Sequence, residues 1–256
     1  MFTLFILSFI QSMTEFLPVS SSGHLYLAQF FGISEQGMGM DVLLHFGTLL
    51  AVIWYFWSDI WALLISLLPK KNKQLLMNLI VATIPVILIG MLFFEILNQM
   101  RNPIFVAVNS IFWGCVLWLV DKYAPREKGL KNLNIKGAFC IGCAQVLSLI
   151  PGTSRSGITI TCARMLGISR TESTRFSMLL SIPTISAAVL YVVYKGLSGQ
   201  VQMPTWNIAL TAVIMTMIMG LMAIYFLMHW VKKSSFGIFA LYRVLLGLGI
   251  LIYIMF

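Results

Sequence analysis

Charge is what this 256-residue sequence has little of. Only 10% of its residues are charged, and only eight are acidic, where a soluble domain carries about a quarter charged residues. No stretch between its apolar runs is polar enough to be a soluble domain. Cysteine is scarce as well, at positions 115, 140, 143 and 162. Cys140 and Cys143 make a CxxC, but no second pair accompanies it and its surroundings are apolar. That favours small packing residues over metal or redox chemistry. The opening MFTLFILSFIQ lacks a basic stretch ahead of its apolar run and a small-residue cleavage site, so we expect it to belong to the mature fold.

What is present is hydrocarbon. Hydrophobic residues make up 59% of the chain, and the mean hydropathy is +0.93. Apolar runs of about 20 residues, enough to cross roughly 30 Å of hydrocarbon, recur along the whole length. The expected fold is an all-α polytopic membrane protein, a single integral membrane domain over 1–256. Its six transmembrane helices fall at 42–68, 79–97, 103–120, 176–194, 206–230 and 236–256. The 16 methionines and 18 phenylalanines read as lipid-facing or packing residues.

The net charge of +9 would suggest a nucleic-acid partner in a soluble protein. Here the cations sit in short loops at the ends of apolar runs. Lys70, Lys71 and Lys73 follow the first span; Lys122, Arg126, Lys128, Lys131 and Lys136 follow the third; Lys232 and Lys233 follow the fifth. That alternation is a topology signal, and no nucleic acid is expected. It places these loops in the cytoplasm. The loops at 98–102 and 195–205, with only Arg101 and Lys195, then lie outside with both termini.

Residues 1–17 and 137–150 are apolar but too short to span. Each runs into a polar loop with Pro and Gly, followed by another short segment, 24–31 or 158–166. The topology makes 1–31 and 137–166 re-entrant hairpins entering from opposite faces. They also look like copies. FLPVSSSG (16–23) aligns with LIPGTSRSG (149–157), and FGTLLAVIWY (46–55) with IPTISAAVLY (182–191), matching Thr48 to Thr184 and Tyr55 to Tyr191. The expected architecture is an inverted-topology repeat with halves of approximately 1–120 and 137–256. Interrupted short segments at matching places in two halves point to a midplane site. Irregular backbone at that depth must be buried or line a cavity.

The first hairpin carries Gln11 and Glu15, four apart and so on one helical face. Pro18 then breaks the helix. Ser20, Ser21, Ser22 and Gly23 supply hydroxyls and backbone N–H groups at a helix start, an anion site. His24 beside them suits proton transfer. The second hairpin carries Thr153, Ser154, Arg155 and Ser156. A guanidinium matches phosphate oxygens and is costly at bilayer depth unless paired; an ion pair with Glu15 is its structural alternative. The set fits a phosphate-bearing ligand, with Ser20, Ser22, Thr153, Ser154, Arg155 and Ser156 as phosphate contacts. The carboxylate and imidazole suit general acid–base or nucleophilic work.

QSMTEFLPVSSSGH and PGTSRSG, in this order and far apart, resemble the two signature motifs of bacterial undecaprenyl-diphosphatases, the bacitracin-resistance family. The resemblance covers essentially the whole chain. It implies an integral membrane phosphatase that removes the terminal phosphate of undecaprenyl diphosphate and recycles the lipid carrier of cell-wall synthesis. The site would open to the periplasmic side of the inner membrane. It further implies that Glu15 binds a divalent cation, Mg²⁺ or Ca²⁺, or activates a nucleophile. Ser21 would be nucleophile or phosphate ligand, His24 base or nucleophile, and Arg155 the phosphate-binding arginine. Gln11 stands where many members have a second Glu. It removes one hard anionic ligand, though Glu15 with substrate oxygens still suits Mg²⁺. Whether Ser21, His24 or water attacks stays open, as does a homodimer.

The rival reading is a polyprenyl-phosphate transporter or flippase, since broken helices in inverted repeats are transporter architecture. Asp41 and His45, near the first hairpin, are candidates for a supporting role. Arg243, inside the last span, reads as half of an internal ion pair; Glu95 and His229 read as interfacial.

Overall fold

The computed structural model describes residues 1–30, 32–33, 37–99 and 102–255, without the side chains of Ser22, Gln29 and residues 94–99. The expectations for the Ser22 and Glu95 side chains and for Arg101 therefore lie outside the described residues.

The described residues form helices throughout: α1 (Phe2–Phe16), α2 (Ser21–Phe30), α3 (Gly37–Tyr55), α4 (Trp57–Ser66), α5 (Gln74–Gln99), α6 (Pro103–Tyr123), α7 (Ile135–Val146), α8 (Arg155–Met165), α9 (Arg170–Leu197), α10 (Trp206–Lys233) and α11 (Gly237–Met255). Six of these, α3, α5, α6, α9, α10 and α11, are long and apolar enough to cross a membrane. The chain is an all-α multi-pass membrane protein. The short helices pair as two hairpins, α1 with α2 and α7 with α8.

The first expected span, 42–68, is corrected. The helix starts at Gly37 and breaks at Phe56, and α4 follows as a separate helix. A continuous helix over 42–68 would run about 40 Å, well beyond a hydrocarbon core of roughly 30 Å. Trp57 and Trp61 lie exposed on α4, where indole rings suit a membrane interface. The starts of α5 and α9 also lie earlier than hydropathy suggests, because polar first turns are capped. Asn72 accepts from Gln74 N at 2.9 Å, and Ser169 accepts from Glu172 N at 3.4 Å.

The basic loops gather at one end. Gln74 donates to the carbonyls of Lys131 and Leu133, and Asn78 to that of Leu133, joining the 70–73 loop to the 130–133 segment. Asp121 at the foot of α6 accepts both Nε and Nη2 of Arg170 at 2.7 and 2.8 Å. It also accepts Phe236 N at 2.9 Å, next to Lys232 and Lys233. Arg164, fully buried, completes the cluster: its Nε is 3.5 Å from Asp121, and its other nitrogens cap the carbonyls of Ala124, Pro125 and Ile168. One carboxylate thus anchors α6, α8, α9 and the start of α11.

Above that end, α6 packs along α11, α3 against both α9 and α10, α1 on α10 and α7 on α5. The α3–α10 contact is backbone-close. A Cβ on Gly47 would meet the Cβ of Thr216 at 2.7 Å, and one on Gly220 would meet that of Ala51 at 3.0 Å. Small residues allow such approach where lipid removes the hydrophobic drive between helices.

Removing one partner of a buried pair typically costs about 3–5 kcal/mol. Asp121→Ala should therefore lower the thermal unfolding midpoint in detergent by many degrees. Glu172→Ala, which loses only a partly exposed i,i+3 pair with Arg175, should shift it little. Equal small shifts for both variants would remove the anchoring role of Asp121.

Candidate active site

The two hairpin tips share one construction. Each has a serine in the left-handed region immediately before a helix, Ser20 at φ 80° and Ser154 at φ 72°. Non-glycine residues rarely adopt that conformation, and it persists where surrounding structure enforces it. Each serine caps the helix that follows: Ser20 Oγ accepts from Gly23 N at 3.4 Å, Ser154 Oγ from Gly157 N at 3.1 Å. A buried glutamine, Gln11 or Gln145, stands at the same spacing ahead of each. Gly152 at φ 88° lets the second tip lie on α6; a Cβ there would be 2.6 Å from Val106 O.

The tips meet at Glu15, a buried carboxylate with both oxygens engaged. Oε1 accepts from Arg155 Nη2 at 2.7 Å. Oε2 accepts from Ser21 Oγ at 2.5 Å and from Gln11 Nε2 at 3.2 Å. An O–H···O⁻ contact this short is a charge-assisted hydrogen bond. Arg155 also donates to Ser177 O at 3.1 Å, fastening the fork to α9. His45 Nε2 stands 3.7 Å from Glu15 Oε2, with Nδ1 held by Asp41 O at 2.8 Å. Helices α2 and α8 both begin here, bringing two sets of first-turn N–H groups to one place.

Arg243 corrects a second expectation. It forms no ion pair among the described residues. Fully buried in α11, it donates to Gly152 O at 2.9 Å, Thr153 O at 2.8 Å, Pro18 O at 3.3 Å and Asn109 O at 3.5 Å. One guanidinium thus caps the carbonyls of both tips, which helix ends would otherwise leave unmet. Ser156 Oγ adds a second tie, donating to Leu17 O at 3.0 Å.

The structure therefore brings together Gln11, Glu15, Ser21, Arg155 and His45. The hydroxyls of Ser20, Ser154 and Ser156 serve as caps and ties, and Thr153 is buried with its Oγ1 unpartnered. His24 faces elsewhere. Its Nδ1 is 2.6 Å from Ser20 O and its Nε2 2.6 Å from Tyr242 Oη. A carbonyl only accepts, so Nδ1 carries the hydrogen and Nε2 accepts from the tyrosine. Ser21 gives its hydrogen to Glu15, not to His24. Asp41 serves through its backbone carbonyl. His229 is exposed and stacks on Tyr225, and all four cysteines are free.

Gln11 Oε1 is buried without a partner. With the adjoining carboxylate it is a hard oxygen donor of the kind Mg²⁺ or Ca²⁺ takes. Among the described residues, no cluster of three His, Cys, Asp or Glu side chains forms a protein-only cage.

Comparison with known proteins gives one answer. The family described as "Bacitracin resistance protein BacA" matches residues 4–249. A protein named undecaprenyl-diphosphatase from Desulforudis audaxviator (strain MP104C) is 40% identical over 253 residues, covering 96% of this chain and 95% of that protein. One of the same name from Alcanivorax borkumensis (strain ATCC 700651 / DSM 11573 / NCIMB 13689 / SK2) is 38% identical over 262 residues, covering 99% and 98%. Another, from Ruegeria sp. (strain TM1040), is 40% identical over 259 residues, covering 97% and 96%.

If Arg243 holds both tips, Arg243→Ala should speed amide hydrogen exchange at Val19 and Thr153 together, by tenfold or more. Those amides close the turns Val19 N to Leu17 O and Thr153 N to Ile150 O. Faster exchange at one tip with the other unchanged would contradict a shared clamp.

Proposed function

The chain belongs to the bacitracin resistance protein BacA family, and on that premise we propose that it hydrolyses undecaprenyl diphosphate to undecaprenyl phosphate and inorganic phosphate. It is a membrane-embedded phosphatase that recycles a cell-wall lipid carrier. The observation that carries the mechanism is the Ser21 hydroxyl donating to Glu15 at 2.5 Å while Arg155 holds the other carboxylate oxygen.

The headgroup enters between the tips, and the Arg155 fork turns from Glu15 to the terminal phosphate. A guanidinium suits two phosphate oxygens at once, and the N-termini of α2 and α8 add N–H groups. Ser21 Oγ attacks the terminal phosphorus as its proton passes to Glu15. The bond to the bridging oxygen breaks, and undecaprenyl phosphate leaves with that oxygen. Glu15 passes the serine proton outward through His45, and water then attacks the phosphoserine, one of its protons moving to the freed carboxylate. Phosphate departs and the serine oxygen recovers a proton. His45, beside Glu15 and open on one side, relays protons outward. His24 has a positioning role: it ties the start of α2 to α11 through Tyr242.

A divalent cation fits the oxygen donors present. Glu15 and Gln11 Oε1 would hold it, completed by substrate oxygens. When bound it would neutralise phosphate charge.

The chain sits in the bacterial inner membrane, with the basic loops cytoplasmic and both termini and the site periplasmic. In support, His45 lies about 12 Å along α3 from its start, at the end away from the basic loops. We also read the two hairpins and their partner helices as an inverted repeat. The matching left-handed serines and the reciprocal packing of α1 on α10 and α7 on α5 support it.

Purified protein in liposomes should release phosphate from undecaprenyl diphosphate; a flippase releases none. Arg155→Ala should lose at least a hundredfold in kcat, since a lost charge-matched contact costs several kcal/mol and about 1.4 kcal/mol is tenfold. Arg155→Lys should also be poor, and a lysine variant near wild-type kcat would remove the two-oxygen role. Cysteines introduced at Asn72 and Lys131 should resist an impermeant reagent added to whole spheroplasts, and one at Gln200 should react. The opposite pattern would invert the orientation.

A further inference from the structure

The membrane face between α5 and α9 is open, unlike its counterpart across the protein. Where α3 meets α10, Gly47 and Gly220 bring the backbones together. Along α5 and α9, two cavities of about 450 and 360 Å³ remain. Ile60 and Leu63 of α4 wall the first, and Ile87 lines both, so the two adjoin end to end as a groove. It runs from Leu76 to Met91 on α5, about 22 Å at roughly 1.5 Å per residue.

The walls offer little for a polar ligand. Thr83 and Thr184 line the groove, but their hydroxyls are spent on carbonyls of their own helices. Ile80, Ile84 and Leu88 stand exposed on α5, so the groove opens sideways to lipid.

It also adjoins the reacting centre. Leu149, which lines it, belongs to the tip that carries Arg155. On α9, the Ser177 carbonyl receives Arg155. Thr184, seven residues on, falls on the same helical stripe two turns along and lines the groove. A molecule whose phosphate is held by Arg155 has an apolar channel beginning within two helical turns of its headgroup.

We propose that this α5–α9 groove receives the polyisoprenoid tail of the substrate. The proposal rests on the lipid-diphosphate reading above. It assigns the leading isoprenes, those nearest the phosphate, to protein and leaves the rest of the chain in the bilayer.

Photo-crosslinking tests the groove directly. p-Benzoylphenylalanine incorporated at position 88, on the exposed rim, should capture radiolabelled undecaprenyl phosphate in liposomes. The same group at position 210, exposed on α10, should not. Capture at 88 should fall at least tenfold in an Arg155→Ala background, because the tail lies there only when its headgroup is held. No capture at 88, or capture that survives Arg155→Ala, means that bilayer lipid fills the groove and overturns the proposal. A kinetic test separates this from the reaction itself. Ala188→Trp, narrowing the groove about 16 Å along α9 from Ser177, should raise KM for undecaprenyl diphosphate about tenfold and leave hydrolysis of isopentenyl diphosphate, whose single isoprene stops short of Ala188, unchanged. An equal effect on both substrates overturns the groove assignment. Wild-type protein that releases no phosphate from either substrate overturns the phosphatase reading instead, and the crosslink still reports on the groove.

Discussion

The ion pair between Glu15 and Arg155 is the interaction on which the rest of the architecture depends. Each charge sits on a different short helix, and each would be costly to bury alone at membrane depth. Together, at 2.7 Å, they satisfy one another only if the two hairpin tips meet. The spanning helices can be seen as the frame that makes them meet. α10 supports the first hairpin and α5 the second, while Arg243 on α11 caps backbone carbonyls from both. In the proposed mechanism the pair is also the resting state of a binding site, where an arriving phosphate competes with Glu15 for the same guanidinium. Releasing the carboxylate from Arg155 strengthens it as a base for Ser21. On that mechanism, substrate binding and nucleophile activation are one event.

The few charges of this chain divide by depth and by task. At the basic end, Asp121 holds Arg164 and Arg170 and fixes where the second hairpin ends. At the centre, Glu15 and Arg155 form the pair to which the proposed mechanism gives the chemistry. Between them Arg243 has carbonyl oxygens as partners, which suits a cation that must hold loops without competing for phosphate. A carboxylate beside Arg243 would have placed a second negative charge against the incoming headgroup.

Much of this was legible in the sequence, and what was not has physical causes. The six spans and two hairpins follow from apolar run lengths, since lipid forces backbone groups to be satisfied within helices. Glu15 and Arg155 stood out because charges are rare in so apolar a chain, and Ser21 because it lies in a run of three serines beside Glu15. The break at Phe56 was missed: Ser58 and Asp59 interrupt the apolar run there, but it resumes at Ile60 and reads as one span. Position in the chain also misled about the imidazoles. His24 is three residues from Ser21, yet its ring is turned to Tyr242. His45, on another helix, is the one beside Glu15. Arg243 could be recognised as a charge inside a span, but its partners lie on loops distant in the chain. The α5–α9 groove depends on how closely two helices approach, and residue type along either helix alone does not disclose that.

The central claim is that Ser21 attacks phosphorus with Glu15 taking its proton. The most direct measurement is rapid acid quench of the reaction with undecaprenyl diphosphate labelled in its terminal phosphate, followed by peptide mapping. The account predicts acid-stable label on Ser21, appearing within one turnover and absent from Ser21→Ala. Acid-labile label on a histidine, or no labelled enzyme at any quench time while phosphate is still released, would contradict it.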